Sequence, residues 1–318
     1  MPLHKLFTGP RSFTRHQLSA VAMAWGVALA TGHPAAQAAG TEAKTQYPIV
    51  LVHGMSGFDA ILGIDYFYRI PAELRRNGAT VYVASISAFN DNDVRGEQLL
   101  KQLKQWAAAK GHTRFNLIAH SQGGPTARYV HGVAPQLVAS ITSIGSPHTM
   151  TSGQADNELG KLLTNYAKEV AAFGKLLGWM SGSSGLPQDP AALQAWAENT
   201  DKFNARFPAG KPIVDCGEGA ERVGNTYFYS ATGNQPATNS KDISDGILAK
   251  ASAGMPAGMA NDGLVPVCAT HWGKVLRDDF PWNHLDETNQ VLGAIGKDAP
   301  DPVAFYVQQA TRLKALGL

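Results

Sequence analysis

Residues 115–124 constrain the fold of this 318-residue chain more than any other stretch. They begin with an apolar run, FNLIA, that is typical of a strand buried on both faces. A turn centred on Ser121 follows at once, and a helix-like segment follows the turn. A strained strand-to-helix turn requires small residues, here Ala119 and Gly123, because larger side chains would be crowded. The pattern predicts a nucleophile elbow, with Ala119 in place of the usual first glycine.

Such an elbow raises Ser121 above the sheet and places the backbone N–H of Gln122 at the start of a helix. One segment would then supply a candidate nucleophile and half of a site that stabilises an oxyanion. A small residue two positions before a Ser-x-Gly also occurs by chance in turns. The rest of the chain must therefore supply a base and an acid.

Apolar strand-like runs alternate with helix-like segments along most of the chain. Strands are predicted at 47–52, 80–86, 115–119, 138–144 and 227–231, and helices at 91–111, 123–131, 189–207 and 302–316. Continuously apolar strands separated by helices predict an α/β fold with a mainly parallel central sheet covered on both faces. The site is expected at the carboxyl edge, where the loops after Val52, Ala119 and Ile144 open.

Residues 1–38 differ from the rest of the chain in their charged and apolar residues. They contain Lys5, Arg11 and Arg15 but no acid, then an apolar run at 18–29 and a small-x-small site at 36–38. This pattern predicts a secretory signal peptide. The alternative of a membrane anchor is disfavoured, because a spanning helix needs about 20 apolar residues. Residues 39–318 are then predicted to form one domain.

Charge and cysteine content narrow the function classes. The chain has 27 basic and 25 acidic residues, and the predicted leader carries three of the basic ones. The mature chain is therefore slightly acidic and has no basic cluster, which argues against nucleic-acid binding. Cys216 and Cys268 predict a disulfide rather than two free thiols, because the chain is exported. Such a bridge would stabilise the fold by about 4 kcal/mol.

The distribution of apolar and charged residues changes at residues 150–185. The apolar residues fall on one helical face and the charged residues on the other. The apolar set is Leu159, Leu162, Leu163, Tyr166, Val170, Phe173, Leu177 and Met180. We interpret the segment as a helical lid insertion that covers the site and can turn toward a lipid surface. A helix packed permanently against the core is an equal alternative.

A serine nucleophile needs a histidine base that is oriented by a carboxylate. With the chain order Ser, Asp, His, the base is either His271 or His284, because His131 and His148 precede the acids. The acid candidates are Asp215, Glu218, Asp242, Asp245 and Asp262. Asp262 is preferred, because it lies in a turn that leads into the apolar run 264–267. Spacing does not decide between the two histidines.

Six stretches resemble one known family: 47–55, 95–97, 116–125, 216–219, 260–265 and 283–291. They are similar to the secreted, foldase-dependent triacylglycerol lipases of Pseudomonas and Burkholderia. The resemblance covers nearly all of the mature chain and is weakest in the lid segment. It implies an α/β-hydrolase fold with Ser121 as nucleophile, His284 as base and Asp262 as orienting acid. It also implies an oxyanion hole from the backbone N–H groups of Met55 and Gln122.

The same resemblance implies one structural calcium ion and no organic cofactor. Its ligands would be the carboxylates of Asp242 and Asp286 and the carbonyls of Gln290 and Ala294. Spacing alone favours another interpretation, in which Asp242 and Asp286 cap helices. The implied partners are a lipid substrate at an oil–water interface and a periplasmic foldase. The enzyme is expected to be a monomer.

Together the residues and the resemblance predict a secreted serine lipase that cleaves long-chain triacylglycerols through an acyl-enzyme. The alternative within enzymes is a carboxylesterase for short soluble esters. A non-catalytic binding protein on the same fold is disfavoured, because Ser121, Asp262 and His284 are all present.

Overall fold

Strands and helices alternate along the described chain. The computed structural model describes residues 40–61, 63–150 and 158–318, so the predicted leader lies outside the described residues. Ala39–Leu318 forms one unit by its internal contacts. The strands are β1 Ile49–Val52, β2 Ala60–Ile61, β3 Ile64–Asp65, β4 Val81–Val83, β5 Phe115–His120, β6 Val138–Ile144, β7 Arg222–Val223, β8 Thr226–Gly233 and β9 Lys274–Phe280. The helices are α1 Ile70–Arg76, α2 Asn92–Lys110, α3 Gly123–Val133, α4 Glu158–Asn165, α5 Ala167–Met180, α6 Pro190–Ala197, α7 Thr200–Arg206, α8 Asp245–Ser252 and α9 Pro302–Ala315.

Seven strands form the central sheet. Its order is β4-β1-β5-β6-β8-β7, and β9 also pairs with β8. Every pairing in this sheet is parallel except that of β7 with β8. Val52 is in register with Ala119, and His120 with Ile144. The predicted parallel sheet is thus confirmed, and the loops after β1, β5 and β6 open at one edge.

Both faces of the sheet are covered. Ile49 and Leu51 of β1 pack into one apolar cluster, while Val50 and Val52 pack into another on the opposite face. This alternation follows from the two-residue period of a strand. It explains why β1 contains no polar residue: each of its side chains enters a core.

Helix α2 begins and ends where its sequence predicts. The Asp91 carboxylate accepts hydrogen bonds of 2.9 Å from the backbone N–H groups of Asp93 and Val94. At the other end Gly111 adopts a positive φ of 71°, which is unfavourable for residues with a side chain. Leu99, Leu100 and Leu103 are buried against the sheet.

The predicted lid segment forms two helices, α4 and α5, and residues 151–157 lie outside the described residues. The expectation of a single apolar face is wrong. Leu163 and Leu177 are buried, but Tyr166, Phe173 and Met180 are exposed beside Leu176 and Trp179. The helix breaks at Tyr166, so the residues on either side of the break no longer share one face.

Several elements differ from the sequence-based expectations, and the short strands β2, β3 and β7 are among those not predicted. The single helix predicted at 189–207 is two helices, α6 and α7, separated at Glu198 and Asn199. Strand β9 was missed because its sequence, KVLRDDF, is charged, as is common for an edge strand. Helices α1 and α8 were also missed. No helix in the described ranges is long and apolar enough to cross a membrane.

Candidate active site

Ser121 lies in the turn between β5 and α3. Its φ is +54°, in the left-handed region that residues with a side chain rarely adopt. A Cβ on Gly123 would lie 2.3 Å from the carbonyl oxygen of Val52, so this position excludes any side chain. The sequence predicted crowding between Ala119 and Gly123, whereas the structure places the close approach of Gly123 against β1. The strained turn that the pattern predicted is present.

His284 and Asp262 complete a hydrogen-bonded line with Ser121. His284 Nε2 lies 2.9 Å from Ser121 Oγ, and His284 Nδ1 lies 2.7 Å from Asp262 Oδ2. The other carboxylate oxygen of Asp262 accepts hydrogen bonds from the backbone N–H groups of Leu264 and Val265. The acid is therefore fixed by its own turn, which follows from the Asn-Asp-Gly sequence.

The second histidine that the sequence left open lies elsewhere. His271 Nδ1 is 3.1 Å from the carbonyl oxygen of Cys216, and Nε2 is 3.1 Å from Asp278 Oδ2. His271 therefore supports the disulfide region. The structure brings His284, and not His271, to Ser121.

Residues 53–56 follow β1 and contain Met55, a predicted oxyanion donor; we call them the oxyanion loop after that prediction. A Cβ on Gly54 would lie 2.5 Å from Ser121 Cβ, so the loop touches the serine directly. The Arg95 guanidinium donates to the carbonyl oxygens of His53 at 2.6 Å and Gly54 at 3.3 Å and so holds the loop in place. Among the described residues, the backbone N–H groups of Met55 and Gln122 donate to no protein acceptor. Both residues line the cavity that reaches Ser121.

That cavity has a volume of about 80 Å³ and an apolar lining. Leu163 of α4 and Leu193, Trp196 and Ala197 of α6 contribute to its wall, opposite Ser121 and His284. Met55 packs with Leu163, Val170 and Leu177 in one apolar cluster. Helix α4 therefore lines the cavity, and both α4 and α5 pack beside Met55 of the oxyanion loop.

A buried polar network that the sequence did not reveal adjoins the histidine. Ligand atoms of His120, His284 and Glu287 lie within 4.8 Å of one another, as a metal site would require. Their atoms are already engaged in hydrogen bonds. Glu287 Oε1 accepts hydrogen bonds from Gly233 N at 2.7 Å and Thr232 Oγ1 at 3.1 Å. Burial, together with the Asp262 carboxylate, raises the pKa of Glu287 well above its usual value.

Two carboxylates lie close together near the loop of His284. One oxygen of each is satisfied: Asp242 Oδ1 accepts from Ser244 N, and Asp286 Oδ2 accepts from Thr238 Oγ1. The other oxygens, Asp242 Oδ2 and Asp286 Oδ1, are buried and have no hydrogen-bond partner within the part of the chain that the structure describes. Burial, with a contribution from Asp242, raises the pKa of Asp286 to about 6. Two unpaired buried oxygens of this kind fit a divalent cation.

The predicted disulfide joins Cys216 and Cys268, with 4.4 Å between their Cα atoms. Cys268 lies in the short 3-10 helix Val267–Thr270, a few residues after Asp262. The bridge thus connects the loop before β7 to the segment that carries the acid. The pairing expected from the cysteine count is confirmed.

The fold and the site define an α/β hydrolase with a serine at its elbow. A profile for the alpha/beta hydrolase fold matches residues 47–267. The chain is 47% identical to a triacylglycerol lipase of Vibrio cholerae over 86% of this chain and 90% of that one. It is 40% identical to a triacylglycerol lipase of Burkholderia plantarii over 96% and 99%. The chain belongs to the triacylglycerol lipase family of α/β hydrolases.

A solved structure gives the same fold at greater distance. The structure of EstA from Clostridium botulinum has a TM-score of 0.58, with 16% sequence identity, over 85% of this chain and 88% of that one. The two proteins therefore share the backbone architecture although their sequences differ widely.

Proposed function

We propose that the protein is a secreted serine lipase that hydrolyses long-chain triacylglycerols through an acyl-enzyme. The observation that carries the proposal is the line from Asp262 through His284 to Ser121, with distances of 2.7 and 2.9 Å. The names of its relatives support the substrate class.

In this proposal His284 Nε2 removes the proton from Ser121 Oγ as the oxygen attacks the ester carbonyl. The carbonyl oxygen becomes negative and accepts hydrogen bonds from the N–H groups of Met55 and Gln122. His284 then gives its proton to the departing alcohol, which leaves an ester on Ser121. Water, deprotonated by His284, attacks this ester and releases the fatty acid. Asp262 holds His284 in orientation and stabilises its charged form.

A serine-directed phosphonate tests the catalytic assignment. We expect mass spectrometry to find one label, on Ser121. His284→Ala should slow labelling by at least about a hundredfold, because the serine loses its base. A matched control is His271→Ala, which removes the histidine of the disulfide region and should label at the wild-type rate. Labelling of another residue, or none in the wild-type protein, would contradict the assignment.

We also propose that the segment 150–185 is a lid over the site. Its first helix, α4, contributes Leu163 to the wall of the small apolar cavity, and α5 packs beside Met55 through Val170 and Leu177. They expose Phe173 by 50% and Trp179 by 72%, which is unusual for large apolar side chains. An apolar surface of this kind fits an oil–water interface and favours a lipase over an esterase.

An engineered, reducible disulfide tests whether the lid segment must move for activity. The hydroxyls of Ser85, after β4, and Ser183, after α5, are in hydrogen-bond contact. Cysteines placed at both positions should oxidise to a bridge that holds the segment against the body. We expect the oxidised double variant to lose most activity on emulsified triolein and to regain it on mild reduction. The two single variants are the controls. Full activity in the bridged form would count against a mobile lid.

We propose that Asp242 and Asp286 hold one structural calcium ion with the carbonyls of Gln290 and Ala294. The unpaired oxygens Asp242 Oδ2 and Asp286 Oδ1 support this site. The cation would neutralise two neighbouring carboxylates and stabilise the loop that follows His284, and it would take no part in the chemistry. We expect calcium, and magnesium much less, to raise the melting temperature. Asp242→Asn should abolish the shift, whereas Asp201→Asn, at an exposed site, should retain it. An equal shift in both variants would refute the site.

We propose export through the periplasm, with removal of residues 1–38, and assistance by a lipase-specific foldase. The composition of the leader and the resemblance to foldase-dependent lipases support this route. Co-expression with a foldase should raise the yield of active enzyme, and the secreted product should elute as a monomer. Fully active enzyme made without a foldase would contradict the partner assignment.

A further inference from the structure

We propose that Tyr66 is a positioning residue that couples the oxyanion loop to the loop of His284 through the ring of His120. The inference rests on the proposed serine mechanism. Tyr66 follows β3 and is 8% exposed. It does not line the cavity that reaches Ser121, so it acts through other residues. No motif in the sequence points to it.

Three contacts form a continuous chain between the two loops. The backbone N–H of Gly54, in the oxyanion loop, lies 3.4 Å from Tyr66 Oη. Tyr66 Oη lies 2.7 Å from His120 Nδ1. His120 Nε2 lies 2.9 Å from the backbone carbonyl oxygen of His284. His120 immediately precedes Ser121, so the chain passes beside the nucleophile.

The direction of each hydrogen bond follows from which of the atoms can carry a proton and which can only accept one. His120 is fully buried, and burial together with His284 lowers its pKa well below the usual value. A neutral imidazole offers one donor and one acceptor. His120 Nε2 lies 2.9 Å from the carbonyl oxygen of His284, which can only accept, and 3.2 Å from the carboxylate oxygen Oε2 of Glu287, so Nε2 carries the proton. Nδ1 is then an acceptor and receives the hydroxyl proton of Tyr66, while Tyr66 Oη accepts from Gly54.

The opposite tautomer leaves two groups unsatisfied. With the proton on Nδ1, the His284 carbonyl would lose its donor from His120. The hydroxyl proton of Tyr66 would also have no acceptor among the described residues. Buried polar groups without partners are costly, so the Nε2–H form is preferred.

This chain fixes the relative position of two groups that act together. The N–H of Met55 adjoins Gly54, and the imidazole of His284 adjoins the carbonyl that His120 holds. An oxyanion donor and a base contribute fully only when both are placed in advance. Removal of the Tyr66 hydroxyl should therefore reduce the rate of acylation more than it reduces substrate binding.

Tyr66→Phe tests the coupling, with Tyr82→Phe as the matched control. Tyr82 Oη also contacts a histidine, at 2.8 Å from His112 Nε2, but at the β4 edge of the sheet. On tributyrin below its saturation point, we expect Tyr66→Phe to lower kcat about tenfold, with KM changed less than about twofold. Phosphonate labelling of Ser121 should slow by the same factor. Tyr82→Phe should change none of these values.

A measurement on the unmodified protein guards against a variant that folds poorly. Nitrogen-15 NMR of histidine-labelled enzyme reports which ring nitrogen of His120 carries the proton. We expect Nε2–H at pH 7, and protonation on Nδ1 would overturn the proposal. Wild-type kcat in Tyr66→Phe, beside an inactive Ser121→Ala, would overturn the coupling alone. Full hydrolysis by Ser121→Ala would instead overturn the serine mechanism.

Discussion

Asp262 and His284 are joined twice. The carboxylate of Asp262 lies 2.7 Å from His284 Nδ1, and the backbone carbonyl of Asp262 accepts the backbone N–H of His284 at 2.8 Å. The loops that carry the two residues are thus tied by main chain as well as by side chains. Because the main-chain hydrogen bond holds the two loops together, the Asp262 carboxylate stays beside His284 even when the imidazole ring rotates.

Gly54 provides a sharp test of the contact between the oxyanion loop and the serine. A methyl group there would lie 2.5 Å from Ser121 Cβ and 3.1 Å from Ser121 Oγ. We expect Gly54→Ala to lower kcat at least about a hundredfold, since the loop or the serine must move. The matched control is Gly246→Ala in α8, where a Cβ meets no atom within 4 Å. That variant should keep its activity and match or exceed wild-type stability. Equal activity of both variants would refute the contact.

Arg95 should matter to catalysis without touching substrate. It is fully buried and donates to the carbonyls of the oxyanion loop at 2.6 and 3.3 Å. The single ammonium group of lysine cannot reproduce the planar set of donors that a guanidinium offers. We therefore expect Arg95→Lys to lower kcat about tenfold. Arg128→Lys is the control, because Arg128 is as deeply buried but donates to Asn204 and Phe207. Both variants should lose stability, and steady-state kinetics on tributyrin should separate them. A loss of kcat common to both would indicate a general folding defect.

The disulfide should contribute mainly to stability. Cys216 and Cys268 close a separation of 52 residues. The chain-entropy argument gives about 4 kcal/mol for a loop of this length. Replacement of both cysteines by alanine should lower the free energy of unfolding in urea by that amount. A loss below about 1 kcal/mol would show that the unfolded chain gains little freedom.

Acid should destabilise the fold through neutral buried histidines. Burial lowers the pKa of His53 to about 3 and of His131 to about 4. It lowers the pKa of His120 and His148 well below the usual value. In the unfolded chain all four take up protons near pH 6.5, so unfolding binds protons below that pH.

Two carboxyls act in the opposite direction. The pKa of Asp286 is raised to about 6 and that of Glu287 is raised well above its usual value, so both bind protons in the native state first. They offset about two of the four histidine protons. Because the four histidines outnumber the two carboxyls, the free energy of unfolding without calcium should fall as the pH falls below about 6. Urea titrations monitored by tryptophan fluorescence measure this slope. A free energy that rises as the pH falls would contradict it.

The sequence predicted the parts of this protein that rest on local patterns. The apolar strands, the start of α2 within residues 91–93 and the turn around Ser121 are each encoded within a few adjacent residues. The choice of His284 over His271 required the resemblance, since both follow Asp262 at plausible spacing. Tyr66 and Glu287 could not be found, because their contacts join segments that lie more than 50 residues apart in the sequence. Helices α4 and α5 were placed correctly, but the break at Tyr166 changed which side chains they bury.

Hydrolysis of emulsified triolein beside soluble tributyrin, with Ser121→Ala as control, decides whether the protein is a serine lipase. We expect activity on triolein that rises sharply once an emulsion forms and is absent in the variant. Cleavage of tributyrin alone, with no gain at its saturation point, would show an esterase and contradict both the substrate class and the lid.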